Sequence, residues 1–356
     1  MKLFEPITIG ATALNNRFIM APLTRSRAGL EHMPNALMAE YYTQRASAGL
    51  IITECTMITE NTSAFVAEPG IYSAAQVDAW KQVTASVHAA GGKIFMQIWH
   101  PGRAAHPANN NGAETVAPSA IAIAGEAHTL QGTLPQATPR ALRTDEIPGV
   151  VAAFATAAQN ALDAGFDGVE VHGANGYLVD QFLRSGSNQR TDAYGGSVEN
   201  RARFLCEVLA AVSAVCGSDR VGLRLSPLVS YNSMHDSDPV GLSSYLADRL
   251  NAFNLAYLHV MRADFLGQQQ GDVLTAFRSA YRGVLVANMG YSAAEAEQAI
   301  AAGQVDAVAF GTGFLANPDF PARIKAGAAM NAPRPEHFYS SGAEGYTDYP
   351  TLAASA

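Results

Sequence analysis

The stretch GVEVHGANGYLVDQFLR, residues 168–184, decides how the rest of the chain is read. It opens as a short apolar strand at 168–171 and breaks over His172-Gly173-Ala174-Asn175-Gly176. From Tyr177 it continues as an apolar-periodic segment. This is one strand-to-helix unit, in which Gly173 and Gly176 let the backbone turn tightly. Within six residues the break presents an imidazole, a side-chain amide and a phenol. His172 and Asn175 can both donate to one acceptor oxygen, and Tyr177 can give a proton. Such a set suits polarising a carbonyl and protonating the carbon beside it. A strand-to-helix turn with a satisfied histidine is the plainer alternative, and the stretch alone leaves both readings open.

Outward from it, the same unit repeats. Apolar runs at 17–23, 50–58, 93–99, 169–171, 221–225, 257–261, 284–287 and 307–310 predict eight buried strands. Helical segments are predicted between and after them at 35–47, 74–90, 146–165, 197–216, 240–253, 271–281, 292–302 and 319–325. Ser292 with Glu295 three residues on has the capping-box spacing. Strands apolar on both faces argue for a parallel sheet covered by helices, and eight such units for a closed (β/α)8 barrel. We expect one domain over residues 1–356, with a hairpin at 3–15 ahead of the barrel. A doubly wound open sheet is the alternative, but it would favour a GxGxxG after the first strand, and none is there. Residues 100–144, rich in Pro, Gly, Asn and Ala, break the rhythm; an insertion this long inside a compact domain reads as a cap or lid.

Composition narrows the partners. The 356 residues are 48% hydrophobic and carry 31 acidic against 23 basic side chains, with no Lys/Arg run, which argues against nucleic acid or an anionic membrane surface. Cys55, Cys206 and Cys216 form no CxxC, so a disulfide framework, a zinc site and a Cys-ligated iron–sulfur cluster are poorly supported. The first residues lack the apolar core of a signal peptide, and no run of eighteen apolar residues occurs. A soluble, cytoplasmic protein is expected.

In such barrels chemistry sits at the C-terminal ends of the strands. Those ends carry Thr24, Cys55, Gln97, Trp99, His100, His172, Asn175, Tyr177 and Arg224. Asn288-Met289-Gly290 follows strand seven and Gly311-Thr312-Gly313 strand eight, where backbone N–H groups commonly bind phosphate. Arg224 and Gln97 point to a planar polar ligand between the mouth and the phosphate site; a buried arginine paired with Glu54 or Glu170 is the alternative. No lysine ends a strand, which argues against a Schiff-base aldolase. A metal-dependent hydrolase built on His100, His172 and Glu54 is a weak rival.

Several motifs together resemble the Old Yellow Enzyme family of FMN-dependent ene-reductases, over residues 3–352. They are Ala21-Pro22-Leu23-Thr24-Arg25, Gln97-Ile98-Trp99-His100, Pro139-Arg140-Ala141-Leu142, His172 to Tyr177, Arg190-Thr191-Asp192, Leu223-Arg224-Leu225-Ser226-Pro227 and Gly345-Tyr346-Thr347-Asp348-Tyr349-Pro350. The resemblance implies non-covalent FMN, reduced by NADPH (or NADH), and a small-molecule alkene activated by a carbonyl or nitro group. It implies that His172 and Asn175 bind the activating oxygen, that Tyr177 protonates, and that Thr24 bonds and tunes the flavin. Pro22, Leu23, Thr24, Cys55, Gln97, His172, Arg224, Met289, Gly290, Gly311 and Thr312 would contact FMN. Trp99, Phe65 and Tyr346 would shape the substrate pocket, though each has a packing alternative. A monomer or homodimer is expected.

Three positions depart from the family pattern. Thr312 stands where many members have arginine, which predicts weaker FMN retention. Cys55 stands where alanine is common, and reads as a small buried hydrophobe. Gly173 replaces a common alanine and is expected to loosen the placement of His172. The segments at 228–238 and 264–271 match poorly and flank the pocket. Nitro or nitrate-ester reduction on the same scaffold, and a flavin-binding protein without turnover, are the alternative activities.

Overall fold

The computed structural model describes residues 1–352. Its central sheet is parallel and closed. Strand one (Phe18–Met20) pairs with two (Leu50–Ile52), two with three (Ile94–Trp99), three with four (Gly168–Gly173), and four with five (Val221–Leu225). Five pairs with six (Tyr257–Met261), six with seven (Leu285–Asn288), seven with eight (Ala307–Phe310), and eight returns to one. This is the (β/α)8 barrel that the alternating runs predict.

Strand two is interrupted. The run at 50–58 breaks after Ile52 and resumes as Thr56–Met57 beside strand three. Buried Glu54 lies in the break, and its carboxylate accepts the N–H groups of Arg25 (3.0 Å) and Ser26 (3.3 Å) from the loop after strand one. A buried carboxyl group committed to another loop cannot sit in a regular apolar run.

Side chains alternate along every strand, as the pleat requires. Val169, Val171, Leu223, Leu225, Leu258 and Val260 face the helices, in the large outer core. Ile19, Leu50, Ile52, Phe95, Tyr257, Val286 and Ala307 fill the axis. The hairpin of Ile7–Ile9 and Thr12–Leu14 closes one end of that inner core, with Ile9 and Leu14 packed into it and Ala11 N–H bonded to Asp219 O at 2.9 Å. The axis is therefore blocked at the hairpin end and can hold a ligand only at the other.

The helices start where capping residues stand. Asn35, Ser73, Ser197, Asp238, Asp272 and Ser292 each accept a backbone N–H of the helix that follows. Ser73 and Gln76 form a full capping box. Ser292 caps its helix as its spacing predicts, but the Glu295 carboxylate goes to Arg262 instead of reaching back. A five-residue helix, Thr312–Ala316, is too short to show a period in the sequence. In the insertion at 100–144, Val116–Ala117 pairs with Arg140–Ala141, and Glu126–Thr129 forms a hairpin with Gly132–Pro135. No helix among the described residues is long and apolar enough to cross a membrane.

Gly222 lies tight against the inner core: a Cβ there would lie 2.2 Å from the Tyr257 ring. Because Tyr257 is fully buried, Gly222→Ala is expected to destabilise by about 1–3 kcal/mol through overpacking. Chemical denaturation checks this, and an unchanged midpoint would contradict it.

Candidate active site

The open end of the barrel holds a cavity of about 580 Å³, within the usual range for small-molecule sites. Its floor is a layer of inward-facing polar side chains. Gln97 Nε2 donates to Glu170 Oε1 at 2.8 Å, and His259 Nδ1 lies 2.8 Å from Glu170 Oε2. Arg224 bonds His259 Nε2 (2.9 Å) and Asn288 Oδ1 (2.9 Å), and Asn288 Nδ2 donates to Ala309 O at 2.7 Å. Arginine only donates and a carboxylate only accepts, so a neutral imidazole carrying its proton on Nδ1 satisfies both neighbours. Burial, reinforced by the Arg224 charge, pushes His259 down to about 4. Burial opposes ionisation of Glu170, but bonds from His259 and Gln97 and the Arg224 charge outweigh it and hold the carboxyl below its usual value. Arg224 thus meets Glu170 only through the neutral His259, and no direct Arg224–carboxylate pair forms among the described residues. Arg224 Nε remains buried without a hydrogen-bond partner.

Above this floor stands the turn after strand four. Asn175 has a φ of 57°, a left-handed conformation that asparagine tolerates. Gly176 follows at 73°, where a Cβ would also strike Met234 Cγ at 2.6 Å. Side chains from neighbouring elements pin the turn: Ser226 Oγ accepts Asn175 N–H (2.7 Å), Asp180 accepts Gly176 N–H (2.9 Å), and Gln181 donates to Gly176 O (2.7 Å). His172, Asn175 and Tyr177 consequently line the same cavity. His172 Nδ1 and Asn175 Oδ1 are buried with no partner, and the His172 and Tyr177 rings meet edge-on at 5.1 Å. Burial, then the charge of Arg224, lowers His172 well below the usual histidine value, so the ring is neutral. Burial raises Tyr177 well above the usual phenol value, so it keeps its proton.

Most of the residues singled out in the sequence converge here. Pro22, Leu23, Thr24, Cys55, Phe65, Gln97, Arg224, Met289, Gly290, Gly311 and Thr312 all line the cavity. The Thr24 hydroxyl lies 3.1 Å from Cys55 Sγ. Burial pushes the Cys55 thiol well above its ordinary value, which fits a small apolar filler and not a thiolate.

The fold so built is shared. A family model described as "NADH:flavin oxidoreductase / NADH oxidase family" matches residues 2–331. The chain belongs to the NADH:flavin oxidoreductase family. A probable flavin mononucleotide-dependent alkene reductase of Leishmania infantum is 50% identical over 358 residues, covering 98% of this chain and 97% of its own. A putative 12-oxophytodienoate reductase of Oryza sativa subsp. japonica is 42% identical, covering 98% and 97%. Among solved structures, morphinone reductase in complex with tetrahydroNAD is similar with a TM-score of 0.94 at 47% identity, over 99% and 98% of the two chains. The old yellow enzyme homologue of Zymomonas mobilis gives 0.96 at 43%, over 99% and 100%.

Two expectations for this flavin oxidoreductase need correction. Tyr346 does not face the cavity: it is fully buried, stacked at 4.0 Å on Tyr41 with the Arg25 and Arg27 guanidiniums over its ring. Trp99 is likewise fully buried and packs edge-on against Tyr177 at 5.1 Å, so it supports that ring from behind. Gly173 ends strand four beside strand five. A Cβ there would lie 3.0 Å from Arg224 O and 3.2 Å from Leu225, so strand five approaches closely. The walls missed by sequence reasoning are Tyr231, Phe265, Phe338 and Tyr339, from irregular loops with no period to betray them. Among the described residues no group of His, Cys, Asp or Glu could hold a metal ion, so His100, His172 and Glu54 do not form a metal site.

The lowered His172 value predicts a neutral imidazole at pH 6. Histidine NMR on the labelled protein checks this, and an imidazolium signal assigned to His172 at that pH would contradict it.

Proposed function

We propose that this chain reduces C=C bonds conjugated to a carbonyl or nitro group, using NADPH or NADH as reductant and non-covalent FMN as cofactor. The observation that carries the reading is one cavity lined by two sets of residues. One set is two hydrogen-bonding side chains and a protonated phenol; the other is a buried arginine and two glycine-containing turns.

The cavity fits FMN by its donors. Arg224 Nε is a buried N–H without a partner, suited to an electron-rich ring edge. Gln97, Thr24 and Cys55, with Pro22 and Leu23, would flank the ring, and Met289, Gly290, Gly311 and Thr312 its phosphate. When bound, FMN supplies the two-electron chemistry, accepting hydride from the nicotinamide and giving it to the alkene. Everything else falls to the protein. The fixed Glu170–His259 pair holds the Arg224 charge under the site, where exclusion of water strengthens it. His172, neutral, and Asn175 donate to the activating oxygen and draw electron density from the double bond. Tyr177 gives its proton to the carbon next to the activating group. Because the phenol sits well above its ordinary value, the phenolate left behind recovers a proton from water. Phe65, Tyr231, Phe265 and Tyr339 form the apolar wall for the rest of the substrate.

Tyr177→Phe is expected to slow alkene reduction on the order of 10²- to 10⁴-fold, while flavin content and its reduction by NADPH stay unchanged. Anaerobic absorbance with NADPH and then 2-cyclohexenone separates the two half-reactions. Unchanged reoxidation by the enone would remove Tyr177 from this role, and a protein that takes up no FMN would sink the whole assignment.

A further inference from the structure

The turns at 288–291 and 311–313 contain no lysine or arginine, although the cavity reaches both. A cation reaches the first of them from the end of strand six. Arg262 directly follows that strand, and its backbone N–H bonds Asn288 O at 3.1 Å. Its side chain crosses to the turn after strand seven. Nε donates to Met289 O at 2.8 Å, and the guanidinium lies 3.7 Å over the Tyr291 ring. Nη1 donates to Glu295 Oε1 at 2.6 Å. Among the described residues other than its chain neighbours, the heavy atom within 4 Å of a Cβ built on Gly290 would be Arg262 Nη2, at 4.0 Å.

This arrangement sets a peptide. Met289 has a φ of 95° and Gly290 one of 71°. For a methionine that backbone is strained and persists only where neighbours over-determine it. In a planar trans peptide the carbonyl and the next N–H point in opposite directions. By drawing Met289 O to itself, Arg262 turns the Gly290 N–H to the other side of the turn. Glu295, whose sequence position fits a capping box, instead serves as counter-ion to that guanidinium.

We propose that Arg262 equips the phosphate end of the FMN site: it orients the Met289–Gly290 peptide and supplies the positive charge that the Thr312 turn lacks. The proposal rests on the FMN reading above. Glu295 offsets the Arg262 charge at that turn, so the pair sets phosphate affinity between them. Arg262 is therefore a positioning and charge-supplying residue for the cofactor, and the turns after strands seven and eight do not act alone. Its presence also changes the expectation drawn from Thr312, since the charge missing there is provided from another strand.

Binding of FMN and of riboflavin to apoprotein, followed by quenching of flavin fluorescence, tests this without turnover. Riboflavin shares the ring and lacks the phosphate. In Arg262→Met the FMN dissociation constant is expected to rise roughly 10- to 100-fold, through loss of a nearby positive charge and of the peptide's orientation, with riboflavin binding unchanged. Glu295→Gln is expected to tighten FMN binding, because it removes the negative charge that offsets Arg262, and to leave riboflavin alone. If Arg262→Met weakens both ligands equally, or Glu295→Gln weakens FMN as Arg262→Met does, the residue is merely structural and the proposal is overturned. A wild-type protein that binds riboflavin and FMN equally well also overturns it; one that binds neither overturns the FMN reading itself.

Discussion

The barrel is organised around a buried charge that it cannot discard. Glu170 is fully enclosed, between strands whose outer faces are apolar, and is tolerable there only because both carboxylate oxygens are taken. Gln97 comes from strand three, His259 from strand six, and Arg224 from strand five reaches Glu170 through His259. Three neighbouring side chains are thus fixed by one carboxylate. Removing any member would leave a buried ion or donor unpaired, a change that typically costs about 3–5 kcal/mol for a broken buried pair. The gain lies in the geometry: a guanidinium held under the cavity with its Nε–H unpaired, and an imidazole whose tautomer is set by its partners. Stability and the shape of the cavity floor meet in the same four side chains.

A second constraint acts one layer up. The turn carrying His172, Asn175 and Tyr177 has two successive residues at positive φ, and it is held by Ser226, Asp180 and Gln181 from neighbouring elements. The loop after strand one is held in the same way, by Glu54 and Tyr42 acting on Arg25, Ser26 and each other. Burial raises the Glu54 carboxyl to about 7, against the hydrogen bonds that Arg25 and Ser26 donate to it. The candidate side chains at the mouth therefore rest on irregular backbone, fixed by polar residues that do not themselves line the cavity. This is how a barrel with flexible-looking loops can present donors in one arrangement.

How far the sequence could be read follows from how local each signal is. Eight apolar runs separated by helical periods report the barrel directly, because alternation between strand and helix is written in neighbouring residues. The residues at strand ends were legible for the same reason: once the strands are placed, Thr24, Gln97, His172, Arg224 and Gly311 fall at one end of the barrel. Tyr346 was not, because an aromatic in a long irregular tail carries no mark of whether it faces a cavity or, as here, packs between Tyr41 and two arginines. Tyr231, Phe265 and Tyr339 were missed in the opposite sense.

By itself the sequence determined the fold, the orientation of the site, and the types of group that could act there, since these depend on periodicity and on residue chemistry at strand ends. Only the tertiary structure decided which ions are partners. The spacing between Arg224, His259 and Glu170, or between Arg262, Met289 and Glu295, has no local signature; each set is joined across strands by closure of the barrel. The pairing of a buried charge is settled by which strands lie side by side, and that is a property of the closed sheet rather than of any one segment.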